Sequence, residues 1–230
     1  MTEREHILGH IREALKTQAQ DVAAFVRKPQ VNGTLTSAAT QESRECLPPA
    51  GANFEERLAR FRTLSVDLKT EFVLLENAAQ ARDTLRQLRE REGWQRVASH
   101  AGALTQPACE GLGVPILWTD KGYAVNELET CDAGVTECDA LVAQTGSALV
   151  TSRSAGGRAL SVLPPHHVVL ARREQLVGDL TDALALVNAK YAPNFPSMIC
   201  LITGPSRTGD IERILVLGAH GPKKLTVICW

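Results

Sequence analysis

The sequence predicts an α/β protein: a mainly parallel sheet flanked by helices, with antiparallel additions and a helical segment at its N-terminus. Three observations carry that prediction. Between Glu71 and Trp118, short apolar runs alternate with amphipathic helical stretches, as in strands joined by crossover helices. Between Ala140 and Val150, two apolar runs are separated only by Gln144-Thr145-Gly146-Ser147, which suits a hairpin and is too short for a crossover. From Ile199 to Trp230, apolar runs are cut by Thr203-Gly204-Pro205-Ser206 and by Gly218-Ala219-His220-Gly221-Pro222, the punctuation expected of buried strands.

The elements follow in order. Thr2 with Glu5 fits a capping box, and Ile7, Leu8, Ile11 and Leu15 recur at helical spacing behind it. From Asp21 to Ala52 the periodicity dissolves into turn chemistry, with Asn32-Gly33 and Pro48-Pro49. We therefore divide the chain into residues 1–52, a helix and a variable loop, and residues 53–230, the main domain. Asn53 with Glu56 opens a helix whose apolar face is Phe54, Leu58, Phe61, Leu64 and Leu68. Glu71–Leu75 reads as the first core strand. Asn77 caps a helix with Ala78, Ala81, Leu85 and Leu88 inward, ending near Gly93. Val97-Ala98 is a short strand, 106–111 a short helix and Val114–Trp118 a third strand. After the hairpin, Pro164-Pro165 breaks the apolar run 159–163. His167–Ala171 is a strand, and 175–190 a helix by its stripe Leu176, Leu180, Leu184 and Val187.

Composition narrows the function classes. Hydrophobic content of 44% and charged content of 22% are those of an ordinary globular chain. A net charge of −1 gives no global field for nucleic acid or an anionic membrane. No apolar run approaches the ~20 residues that span a bilayer. The charged start MTEREHILGHIREAL lacks the apolar centre of a signal peptide, so a cytoplasmic location is expected. The six cysteines (46, 109, 131, 138, 200 and 229) form no C-x-x-C pair and match no common zinc or iron–sulfur spacing, so no metal or cofactor is expected on this chain.

Four stretches could carry chemistry. Ser152-Arg153-Ser154-Ala155-Gly156-Gly157-Arg158 reads either as a solvated turn or as an anion site. In the second reading the amides of Gly156 and Gly157 face the ligand and Arg153 and Arg158 fork onto its oxygens. Thr203 to Glu212 reads either as a capped turn or as a second anion site, with Gly204, Ser206 and Arg207 as ligand contacts and Asp210 and Glu212 as acid/base groups or as ion-pair partners of Arg207. His220, between Gly218 and Gly221-Pro222, is a candidate proton carrier. Thr145 and Gly146 sit in the hairpin turn, downstream of Cys138-Asp139.

The run TGPSRTGDIERILVLGAHGPKKL, with GVTECDALVAQTGSALV and RALSVLPPHHVVL upstream, resembles the lactate utilisation protein C family, the LUD domain, from about Glu71 to Trp230. The resemblance implies a fold related to the ribose-phosphate isomerase, glucosamine-phosphate isomerase and CoA-transferase group. It implies a part in oxidising L-lactate to pyruvate beside partner subunits that carry iron–sulfur clusters, with this chain binding a small anionic metabolite. Arg158 and Arg207 are its expected carboxylate contacts, with the bend 152–158 and the glycine-proline corners meeting over the edge of one sheet as a single pocket. Where relatives carry Glu-Thr-Gly, this chain has Gln144-Thr145-Gly146. Gln144 keeps the hydrogen-bonding capacity of that acid but cannot act as a charged base. The alternative is a stand-alone enzyme on a phosphorylated or CoA-linked metabolite, with Asp210, Glu212 and His220 as its catalytic groups. A homo-oligomer is compatible with either reading.

Overall fold

The computed structural model describes residues 50–208, 216–218 and 220–230. The expected N-terminal helix, Asp210 and Glu212 lie outside them. In chain order the described elements are α1 (Phe54–Asp67), β1 (Glu71–Leu74), α2 (Ala78–Glu92), β2 (Val97–Ser99), α3 (Thr105–Cys109), β3 (Ile116–Trp118), α4 (Val125–Glu129), β4 (Ala133–Glu137), β5 (Ala140–Val142), β6 (Ser147–Thr151), β7 (His166–Ala171), β8 (Leu176–Val177), α5 (Leu180–Tyr191), β9 (Ile199–Ile202), β10 (Arg207–Thr208), β11 (Val216–Leu217) and β12 (Lys224–Cys229).

Local chemistry sets several boundaries. The Asn53 side chain accepts from the Glu56 amide at the start of α1, and Asn77 accepts from the Gln80 amide at the start of α2. Gly93, at φ +70°, closes α2 in the left-handed conformation. The helix expected from Gln175 starts five residues later, at Leu180, because Asp179 is its cap and accepts from the Asp182 amide. Leu176 and Val177 instead pair with β5. The run 159–163 makes turns rather than a strand. Strand β4 is not among the expected strands, yet it lies inside the main sheet.

That sheet has six strands in the order β1-β12-β7-β4-β2-β3, all neighbours parallel. Side chains alternate between its faces. Val168, Leu170 and Ile228 face the layer made by α2 and α3. Val169, Ala171, Val227 and Cys229 face the other way, onto α1 and a second sheet. Burial on both faces is the rule for parallel sheets. The second sheet runs β8-β5-β6-β9, with β5 and β6 the expected hairpin. Its outer face, through Val142 and Leu149, packs on Ala183, Val187 and Tyr191 of α5. Among the described residues no helix is long and apolar enough to cross a membrane.

Candidate functional site

Strands β2 and β4 are neighbours, but the chain leaves them toward opposite faces. After β2 it enters α3, in the helical layer, and after β4 it enters β5, in the second sheet. Open α/β sheets bind ligands at such points of divergence, outside the carboxyl ends of the strands. Here that position holds His100 from the end of β2, Asp120 from the end of β3 and Glu137 from the end of β4. Glu137 Oε1 accepts from the Leu104 amide at 2.7 Å and the Thr105 amide at 3.2 Å. Asp120 accepts from the Ala101 amide. His100 is 5% exposed and, among the described residues, its Nε2 has no hydrogen-bond partner. Burial lowers the pKa of His100, while the negative charges of Glu137 and Asp120 oppose that shift.

Two glycines let the loops close on this point. A Cβ on Gly102 would lie 2.1 Å from Glu137 Oε1 and 2.7 Å from His100 Cε1. A Cβ on Gly156 would lie 2.4 Å from His100 Cβ, and Gly156 also holds φ +60°. Thr119 Oγ1 donates to the Gly156 carbonyl at 3.0 Å, and the Glu137 amide donates to the Ser154 carbonyl at 3.1 Å. The bend 152–158 is therefore fastened over the carboxyl ends of β2, β3 and β4.

Its arginines are exposed and partly engaged. Arg153 donates to the Asn194 carbonyl at 3.0 Å and stacks 5.2 Å from the Tyr191 ring. Arg158 donates to the Ser197 carbonyl at 2.8 Å. Gly157 donates its amide to the Ser152 carbonyl at 2.9 Å.

The other expected contacts gather elsewhere. Ser147 Oγ lies 2.7 Å from both Thr145 Oγ1 and Thr203 Oγ1, which ties the hairpin turn to the end of β9. Gly146 packs on Leu64 and Leu68, Gly204 packs on the Leu68 carbonyl, and Arg207 donates to that carbonyl. The Ser206 amide donates to the Pro222 carbonyl at 2.9 Å, so the two glycine-proline corners meet. A cavity of about 260 Å³ opens beside them, with Ser206, the exposed His220 and the buried His167 in its wall and, among the described residues, no arginine. It lies at the amino ends of β7 and β12. Because β6 and β9 are antiparallel, with Ala148 opposite Ile202 and Thr151 opposite Ile199, the bend 152–158 and the corner 203–207 sit at opposite ends of that pair, so Arg158 and Arg207 do not meet in the single pocket expected of them.

A family model described as "LUD domain" matches residues 58–229. The chain belongs to the LUD domain family. LUD-domain relatives named "Lactate utilization protein C" include one from Macrococcus caseolyticus, 37% identical over 142 residues, covering 51% of this chain and 62% of the relative. Another, from Anoxybacillus flavithermus, is 31% identical over 166 residues, with 66% and 70% covered. A third, from Deinococcus radiodurans, is 32% identical over 118 residues, with 51% and 55% covered. The chain thus spans roughly half to two thirds of the length of these curated relatives. A crystal structure of a DUF162 family protein from Deinococcus radiodurans shares the fold, with a TM-score of 0.61 at 22% identity over 78% of this chain and 99% of that one.

Within this LUD domain, reading the sequence alone passed over His100, Gly102, Thr119 and Asp120. The available signal was Ser99-His100-Ala101-Gly102: polar and small residues directly after a β-forming run, the composition of a strand-end loop. Among the described residues no three His, Cys, Asp or Glu side chains converge as a metal site.

Asp139, two residues past β4, is the other polar anchor. It is 2% exposed, and its Oδ1 accepts from Lys190 Nζ and from the Tyr191 hydroxyl, both at 2.6 Å. Burial pushes its carboxyl up, but these donors prevail and hold it below the usual value. Asp139→Ala should cost about 2 kcal/mol, because the buried Tyr191 hydroxyl loses its charged acceptor while the half-exposed Lys190 returns to water. Urea unfolding reads the loss. The contribution is complete above the ordinary Asp pKa of about 3.9 and drains away as pH falls through the depressed value, so the deficit should shrink in acid.

Proposed function

We propose that this LUD-domain chain serves lactate utilisation as a subunit of an L-lactate-oxidising system in the cytoplasm. In this reading partner subunits carry the iron–sulfur clusters and the electrons, and residues 53–230 bind a small anionic metabolite while residues 1–52 form a separate N-terminal part. The observation that carries the reading is shared sequence: the family match over residues 58–229 and the relatives named for lactate utilisation. The carboxyl-edge geometry supports the ligand half. Arg153 and Arg158 are exposed, each uses one terminal nitrogen on a backbone carbonyl, and the remaining donors of each fork are available to a carboxylate. A hydroxy or keto acid seated there would lie beside the Gly156 turn that covers His100.

Calorimetry with L-lactate and with pyruvate on the full chain tests this. Saturable binding is expected, weakened about tenfold in Arg153→Met/Arg158→Met, since a lost charge-assisted hydrogen bond is worth about that factor. If neither acid binds the chain, alone or with its iron–sulfur partners, the ligand half fails. If the chain does not co-purify with such partners, the subunit half fails.

A further inference from the structure

A second hollow lies on the other face of the sheet, between α2 and α3. Its volume is about 320 Å³, the lower end of the range for small-molecule pockets. Ala78 follows β1, Leu104 follows β2, Arg172 follows β7 and Trp230 follows β12, so the carboxyl ends of four parallel strands contribute to one wall. The remaining wall is largely apolar, with Ala81 and Pro107.

Its electrostatics are one-sided. Arg82 and Arg172 stand on the lining, and among the described residues no aspartate or glutamate does. Among the described residues Arg82 makes no ion pair. Among the described residues the one ion-pair partner of the Arg172 guanidinium is Glu174 at 3.7 Å, with the two side chains 52% and 69% exposed, a contact that water screens and a ligand can displace. The first turn of α2, which carries Ala78 and Ala79 into the wall, holds no acidic residue. Its leading amides, which no helix pairs internally, add positive potential at the same place.

We infer that this hollow binds a small organic carboxylate with an apolar body. The guanidiniums take the carboxylate, and the alanine, proline and tryptophan surface takes the rest. A bare inorganic anion would leave the apolar wall wet, and an uncharged apolar molecule would leave two arginines unanswered. The site is separate from the bend at Arg153 and Arg158, so the fate of lactate binding there does not decide it.

Benzoate is the probe, with benzyl alcohol as its uncharged counterpart, followed by calorimetry and tryptophan fluorescence on the full chain. Saturable benzoate binding is expected, with benzyl alcohol weaker by about tenfold or more. Arg82→Met and Arg172→Met, which keep the side-chain stems, should each raise the benzoate Kd by about tenfold, and Arg172→Lys by less. Ala79→Phe, at an exposed helix position, should block the hollow and leave the thermal midpoint and any L-lactate binding unchanged. The inference is overturned if benzoate does not saturate, if benzyl alcohol binds equally well, or if the Arg82→Met/Arg172→Met double variant, folded by its thermal midpoint, binds benzoate with the parent Kd.

Discussion

Lowering the pH from 6.5 to about 3 should remove most of the stability of this protein, and two adjacent histidines should account for much of the loss. His166 and His167 are 3% and 1% exposed at the start of β7. Their Nε2 atoms reach Thr226 Oγ1 at 2.9 Å and Thr136 Oγ1 at 2.8 Å, and among the described residues their Nδ1 atoms have no partner. Burial drives His166 down to about 4 and His167 down to about 3. Well above the ordinary histidine pKa of about 6.5 the histidines are neutral folded or unfolded and contribute nothing to pH dependence. Below it the unfolded chain takes up protons that the folded chain refuses, so stability falls with pH. The fall ends for each residue once the pH passes its folded pKa. At about 1.4 kcal/mol per pH unit, the loss is on the order of 3 kcal/mol for His166 and 5 kcal/mol for His167. A typical domain has only about 5–15 kcal/mol. Urea midpoints measured between pH 7 and pH 4 should fall steadily. His167→Asn, destabilised at neutral pH, should show a shallower slope. An unchanged slope in that variant would mean that other groups govern the acid sensitivity.

Gly156→Ala should destabilise the fold by about 2–4 kcal/mol. Two effects add. The residue holds φ +60°, which costs an alanine about 1 kcal/mol, and the new methyl would lie 2.4 Å from His100 Cβ and 2.9 Å from Thr119 Oγ1, an overpacking worth about 1–3 kcal/mol. For a chain of this size that is a fall in thermal midpoint of about 4–16 °C. Gly157 holds φ +118°, outside the left-handed well that an alanine can occupy, but a Cβ there meets nothing within 4 Å, so Gly157→Ala reads backbone strain without a clash. A Gly156→Ala loss no larger than the roughly 1 kcal/mol of its own strain would show that the fit over His100 sets no requirement.

Elements with strong periodicity or clear caps were legible in the sequence. Helices α1 and α2 announced themselves through Asn53, Asn77 and Gly93, and β12 through its apolar run behind a proline. The hairpin of β5 and β6 followed from the four residues between its arms. Strand β4 escaped because Ala133-Gly134-Val135-Thr136-Glu137 has two small residues and no alternation. Gly134 is there because the Leu160 carbonyl would lie 2.4 Å from any Cβ, a long-range constraint that no local window reports. The carboxyl-edge cluster escaped for a related reason. His100, Asp120 and Glu137 are far apart in the chain, and only the strand order β4-β2-β3 makes them neighbours. The glycine-proline corners were correctly read as turns. Which end of the sheet each turn serves depends on strand direction, and composition does not encode that.

The place of β12 has a consequence for how the chain is made. It follows every other described strand in sequence, yet it is wedged between β1 and β7, with Glu71 opposite Thr226 and Leu74 opposite Cys229. During synthesis β1 is completed early and must wait, its ladder unmet, until the ribosome has delivered residues 224–229. Pairings this distant carry a large loop-closure entropy and form late. A nascent chain stalled just short of residue 224 would carry β1 and β7 as two exposed rims with a slot between them, an invitation to chaperones and to neighbouring chains alike.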